Sequence, residues 1–196
     1  MLALVSRTKD FDPDAALTAA MELFWRKGYE ATSVQDLVEH LGVARASLYG
    51  TFGTKHDLYL RALDRYTEQG ANSALSWLAE PGPVLPALRR GFRALAENYA
   101  QAAERNGCLV TNTTVELVPA DDSCTQRVTA AYDQMERDIT IALLRASAEG
   151  ELAADADPRA LARFLVTFLQ GVKVLAKLPD RTRLADAIEQ ALRVLD

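Results

Sequence analysis

The sequence predicts an all-α fold of about nine helices, and three observations carry that prediction. Apolar residues recur at three- and four-residue spacings over most of the chain. Gly and Pro are sparse, 10 and 7 in 196 residues, and they fall between the periodic segments. Ala and Leu are abundant while β-branched runs are short, which favours helix over strand. A hydrophobic fraction of 49% suffices for a buried core and excludes a disordered chain.

Residues 1–11 read as a short flexible arm carrying Arg7 and Lys9. Asp12-Pro13 then starts a helix, with Asp as N-cap and Pro at the first helical position. Ala16, Ala20, Leu23 and Phe24 form the buried face of that helix over roughly 13–27, and Gly28 ends it. Thr32 with Gln35 three residues on reads as a capping box for a second helix, buried through Val34, Leu37, Val38 and Leu41. Gly42 supplies a turn and a third helix covers about 44–51. Thr54 with Asp57 is another capping box, opening a long helix through about Leu78.

Pro81-Gly82-Pro83 breaks the chain before a helix from about Val84 to Arg105, which Asn106-Gly107 stops. A short helix follows over 108–117, ended by Pro119. The next runs from about Asp121 to Ala148, with Val128, Ala131, Met135, Ile139, Ala142 and Ala146 in one stripe. Asp157-Pro158 repeats the earlier start signal. Leu161, Phe164, Leu165, Phe168, Leu169 and Val172 make one face of this helix, and Val166 and Val174 lie opposite, so it is expected to be buried on both sides. Asp180 caps a last helix with Leu184, Ile188, Ala191, Leu192 and Leu195 in a single stripe.

The second and third helices around Gly42 have the spacing of a helix-turn-helix reader of the DNA major groove. With Leu48 at the centre of the buried face, Ala46, Tyr49 and Gly50 point outward and Ser47 flanks them. Arg45 stands at the helix N-terminus, the end such motifs push into the groove. Small outward residues permit close approach to DNA, while one Tyr and one Arg reach. The net charge of −5 is unlike that of a nucleic-acid binder, and residues 1–57 hold six Lys and Arg against eight carboxylates. Binding to DNA must therefore come from local arrangement, and non-specific coating of nucleic acid or of an anionic membrane is disfavoured.

The apolar start MLALV ends at Arg7 and Lys9, far short of a signal-peptide core, and no stretch reaches the ~18 apolar residues of a membrane span. Cys108 and Cys124 are too few for a disulfide scaffold and lack C-x-x-C spacing. These features predict a soluble cytoplasmic protein. His40 and His56 have no Cys or His partner at metal spacing, so no metal or other cofactor is expected. An enzyme is disfavoured because the chain lacks a Gly-rich phosphate loop, H-E-x-x-H, G-x-S-x-G and any His in its C-terminal 140 residues. The alternative is a helical dimeric ligand-binding protein or enzyme without DNA binding.

Residues 12–60 resemble the tetracycline-repressor (TetR) family of one-component transcriptional regulators. The resemblance rests on Ala31-Thr32-Ser33-Val34, Leu41-Gly42-Val43, Ser47-Leu48-Tyr49 and Phe52-Gly53-Thr54-Lys55. It implies a DNA-binding domain over 1–57, an effector-binding and dimerisation domain over 58–196, and a two-fold dimer formed through the last two helices. It further implies a repressor that leaves a palindromic double-stranded operator when a small molecule acts on the C-terminal domain. The implied DNA contacts are Arg45, Ala46, Ser47, Tyr49 and Thr51 on the recognition helix, with Lys55, Thr32, Ser33 and Gln35 meeting phosphates.

For the effector pocket, Phe92, Tyr99, Asn112, Glu116, Tyr132, Phe164 and Phe168 are the aromatic and polar candidates, with Met135 and Gln170 beside them. Cys108 joins them. A similar G-C-[LF]-x-x-N-T segment occurs in one branch of the family, and some relatives sense oxidants or electrophiles through a cysteine near here. A thiol at a helix N-terminus, with Arg105 nearby, gains thiolate character, whereas a buried free Cys is usually inert packing. Cys124, among Asp121, Asp122 and Ser123, is expected to be more exposed and less reactive.

Overall fold

The computed structural model describes residues 11–71, 75–101, 105–178 and 181–196, so Arg7, Lys9 and the expected cap at Asp180 lie outside the described residues. Nine α-helices and no strand occur among them, as the periodicity requires. The chain divides into two compact units, one through Tyr66 and one from Thr67.

The N-terminal unit holds α1 (Pro13–Lys27), α2 (Val34–Leu41), α3 (Arg45–Phe52) and the start of α4 (Lys55–Ala71). Asp12 caps α1 by accepting the Asp14 amide at 2.9 Å. Ala20, Leu23 and Phe24 of α1 meet Leu37 of α2, Leu48 and Phe52 of α3, and Leu58, Tyr59 and Leu63 of α4 in the core. Phe24 and Tyr59 pack edge to face at 4.9 Å, an arrangement that adds to the area both rings bury. The capping box of α2 lies one residue later than expected. Ser33 and Asp36 exchange the two bonds, while the Thr32 hydroxyl turns inward and donates to the Gly28 carbonyl at 2.6 Å. A carboxylate is a stronger acceptor than the Gln35 amide, and Lys27 pairs with it at 2.9 Å. The box at Thr54 and Asp57 forms as expected.

The long helix expected through Leu78 is shorter: α4 closes at Ala71, and Ser76–Ala79 is a separate 3₁₀ turn.

In the C-terminal unit α5 (Val84–Gln101), α7 (Asp122–Ala148), α8 (Pro158–Leu175) and α9 (Arg181–Leu192) surround one apolar core, and α6 (Leu109–Leu117) packs on α7 and α8. Leu88 and Phe92 of α5, Ile139 and Leu143 of α7, Leu165 and Leu169 of α8, and Ile188 of α9 are at its centre. Glu151, in the α7–α8 connection, caps α5 by accepting the Val84 and Leu85 amides at 2.8 and 2.9 Å, a long-range bond that no local motif announces. Arg93 of α5 grips Glu189 of α9 with two bonds of 2.5 and 2.8 Å. The expected stripes of α7 and α9 are the ones that face the core, whereas α8 is not buried on both sides: Phe164 and Val174 remain exposed. No helix among the described residues is long and apolar enough to cross a membrane.

Candidate functional site

Gly42 closes α2 in the left-handed conformation at φ 63°, which a residue without Cβ adopts at no steric cost, and this sets the turn into α3. Leu48 and Phe52 then anchor α3 inward. Arg45, Ala46, Tyr49 and Gly50 are exposed, Tyr49 by 42%, and Ser47 and Thr51 are half-buried at the edges. α3 therefore presents a narrow outward strip of small residues flanked by one arginine and one phenol. Its N-cap is Ala44, which makes no side-chain cap bond, whereas α1, α2, α4, α7 and α8 all begin with one. The first-turn amides of α3 thus keep their donors and their positive end of the helix dipole for an outside acceptor.

Lys55 opens α4 with its ammonium 4.2 Å from the Tyr29 ring centroid. The ring steadies the cation without neutralising it. Tyr29 also stacks on Phe24 and packs at a tilt against Tyr59, so this platform is fixed to the core. Sequence reasoning passed over Tyr29 because it lies between helices, outside any periodic stripe. Lys27, by contrast, is occupied by Asp36. The Lys27 ammonium, then the Ser33 amide and hydroxyl, hold the Asp36 carboxyl well below the usual carboxylate range.

Of the expected phosphate contacts, Ser33 is exposed, although its hydroxyl bonds Asp36 at 2.8 Å, and Gln35 is exposed but donates to Glu39 at 2.7 Å. Thr32 is a correction: it is fully buried, its amide donating to Tyr29 and its hydroxyl to Gly28. It shapes the turn and has no side-chain atom to offer an outside phosphate.

The C-terminal candidates divide. Phe92 is buried in the core, while Phe164, stacked on Phe168 at 6.2 Å, and Glu116 are exposed. Asn112 donates to the Asn106 carbonyl and accepts from the Lys177 ammonium at 2.6 Å.

A polar cluster forms instead where α5, α6, α7 and α8 meet. The Tyr132 hydroxyl and Thr114 Oγ1 are 2.8 Å apart, and Thr111 Oγ1 donates to Gln170 Oε1 at 2.9 Å. Burial pushes the Tyr99 and Tyr132 phenols up, and Cys108 adds to both shifts. Cys108 is 4% exposed and is the N-cap residue of α6, where it makes no side-chain cap bond. Lys173, on the α8 side, is a member that no motif had suggested. The available signal was a lysine inside the apolar run Val172-Lys173-Val174.

Cys124 corrects another expectation. It is buried rather than exposed, because its polar neighbours are the cap of α7 and Cys124 itself turns inward; its amide donates to Asp121 at 2.9 Å. Burial first, and the Asp121 carboxylate next, push its thiol up to about 12. Neither cysteine is in a disulfide.

Comparisons with known proteins extend this picture over the whole chain. Residues 16–62 match the family described as bacterial regulatory proteins, tetR family, and residues 84–192 match the tetracyclin repressor-like C-terminal domain. An uncharacterised HTH-type transcriptional regulator of Bacillus subtilis, YezE, is 37% identical over 194 residues, 98% of this chain and 100% of the relative. The HTH-type transcriptional repressor ComR of Escherichia coli is 35% identical over 87% of this chain and 82% of its own length. Among solved structures, a cysteine mutant of the TetR family transcriptional regulator CifR, complexed with 26-bp double-strand operator DNA, superposes with a TM-score of 0.85. It is 31% identical over 97% of this chain and 100% of that chain.

Proposed function

The chain belongs to the tetR family of bacterial regulatory proteins, a family of transcriptional regulators and not of enzymes, and from that premise we propose an operator-binding repressor released by a small-molecule effector. The observation that carries the reading is the outward face of α3. Arg45, Ala46, Ser47, Tyr49 and Thr51 line it, its N-terminus is uncapped, and Lys55 stands at the start of the next helix. Arg45 can grip guanine O6 and N7 in the major groove, and the Tyr49 ring can pack on a thymine methyl or a sugar. Lys55, Ser33 and Gln35 are assigned to phosphates, with Tyr29 holding Lys55 in place.

With six Lys and Arg against eight Asp and Glu in residues 11–66, one unit alone has little charge with which to hold DNA. A homodimer doubles the contacts, and an exposed apolar surface is available to form it. Ala160, Phe164, Thr167, Gly171, Val174 and Leu178 follow a 4-3-4-3-4 spacing, and all are exposed. On α7, Ile141 and Leu144 are exposed by 67% and 50%. The apolar stripe of α9 is consumed inside its own unit, so α7 takes the place expected of α9 in the pairing with α8.

The effector is assigned to the cluster of Tyr99, Cys108, Thr111, Tyr132 and Gln170. A thiol-reactive signal at Cys108 would act on the same place, and a Cys108→Ser protein released from DNA by oxidant as readily as wild type would remove that route. Replacing Arg45 and Lys55 together by Ala tests the main reading. The double variant should keep its helical circular dichroism and lose retention of DNA in gel shifts; undiminished retention would overturn it.

A further inference from the structure

Lys173 is 7% exposed, and its ammonium reaches a single partner among the described residues, Gln170 Oε1 at 3.5 Å. No carboxylate among those residues lies within 4.0 Å of it. A buried cation without a counter-ion is costly, and structures keep one where something else supplies the charge. The neighbouring hydroxyls are turned to one another and to the backbone, Thr111 donating to Gln170 Oε1, Thr114 to the Val110 carbonyl and Tyr132 to Thr114 Oγ1, and none of them bonds the ammonium. Gln170 Oε1 already receives Thr111, and the Gln170 amide is spent on the Val166 carbonyl at 2.9 Å. The Tyr99 hydroxyl has no hydrogen-bond partner among the described residues. The start of α6, a helix of nine residues, packs on this stretch of α8, and its N-cap residue Cys108 offers no side-chain cap.

α6 and α8 are held there by close contact: a Cβ at Gly107 would come within 3.1 Å of the Lys173 carbonyl and 2.7 Å of Lys177 Cε. Lys177 adds an outer cation, tied to Asn112.

We propose that Lys173, with the uncapped N-terminus of α6 and the Tyr99 hydroxyl, is the receptor for the carboxylate of a small organic monoanion, which serves as the effector. The inference rests on the effector reading above and names the chemical class. A single buried ammonium balances one negative charge, which a carboxylate carries in full at neutral pH and spreads over two oxygens in one plane, whereas inorganic phosphate is a mixture of mono- and dianion with four oxygens to satisfy. The half-buried rings of Tyr99 and Tyr132 and the buried Cys108 would meet a short acyl or aryl tail.

The test uses the full-length protein and its Lys173→Met variant, which keeps the length of the stem and removes the charge. Acetate, butyrate, octanoate and benzoate are each compared with the corresponding primary amide and with inorganic phosphate, reading the melting temperature of the free protein and its release from DNA. At least one carboxylate should raise the melting temperature and release DNA while its amide does neither. Lys173→Met should bind DNA as wild type does, melt no lower, and respond to that carboxylate about tenfold more weakly or less, since the lost contact is charge-assisted.

Equal responses to acid and amide, a preference for phosphate, or an undiminished response in Lys173→Met would each overturn the proposal. So would a melting temperature several degrees lower in Lys173→Met, because the ammonium would then be satisfied without a ligand. Release of DNA by an uncharged compound from both proteins alike overturns the anion and leaves the effector reading standing. DNA binding that no compound in the panel disturbs counts against both.

Discussion

Arg45 and Lys55 sit ten residues apart and differ in what their surroundings let them do. Arg45 is exposed at the first turn of α3, where a forked guanidinium can satisfy two base acceptors at once. Lys55 is a point charge resting over the Tyr29 ring, suited to a phosphate oxygen and indifferent to sequence. Arg45→Ala should therefore cost ~1–3 kcal/mol on the preferred site and relax one base position. Lys55→Ala should weaken all sites evenly and lower the salt slope by about one ion. Binding titrations on matched and mismatched duplexes at several salt concentrations separate the two. Identical losses on every sequence from both variants would mean that Arg45 also touches only phosphate.

At the scale of helices, the starts fall into two groups. α1, α2, α4, α7 and α8 are capped by side chains within a few residues, α5 by Glu151 from far along the chain, and α3 and α6 by no N-cap side chain. Among the helices whose N-cap is described, these two uncapped starts are the ones assigned to external ligands.

The caps also dictate an acid response. Lys27 and Ser33 depress the Asp36 carboxyl, and Thr54 depresses that of Asp57, both from an ordinary value of 3.8. A depressed carboxyl contributes stability above its unfolded value and loses it as pH falls through the folded one. Urea midpoints should accordingly be flat from about pH 7 to pH 5 and drop below about pH 4. Asp36→Asn should lower the midpoint at neutral pH and reduce that drop. A variant whose acid drop equals that of wild type would show that Asp36 is not depressed.

These caps were mostly legible in the sequence, since Asp-Pro and Thr-x-x-Asp are local signals. Where the reading slipped, Thr32-Ser33-Val34-Gln35-Asp36 offers two overlapping pairs, and burial of Thr32 and the Lys27 partner decide between them. Cys124 misled for a related reason: polarity in sequence neighbours says little about direction once a helix has begun. Lys173 was not legible because its meaning depends on what α6 brings to it, and that is a tertiary fact.

For the whole molecule, periodicity foretold the helices and their inner stripes, and the helix-turn-helix pattern foretold which face of α3 is exposed. Which helices pair with a second copy could not be read so directly, because an apolar stripe looks alike whether it meets its own core or a partner. The structure separates the two cases by exposure: the α9 stripe is inside, while Ile141, Leu144, Phe164 and Val174 are outside. Charges placed there by Ile141→Glu with Phe164→Glu should give a monomer in analytical ultracentrifugation and weaken operator binding by an order of magnitude or more, with helix content retained. A variant that stays dimeric would move the interface elsewhere.

A net charge of −5 leaves the N-terminal unit dependent on placement and on pairing, not on a general basic field. The most direct test of that claim is selection of bound duplexes from random DNA by the purified protein. The account predicts enrichment of an inverted repeat whose half-sites lie about 34–36 Å apart or at a multiple of that distance. Recovery of sequences without dyad symmetry, or no enrichment at all, would contradict it.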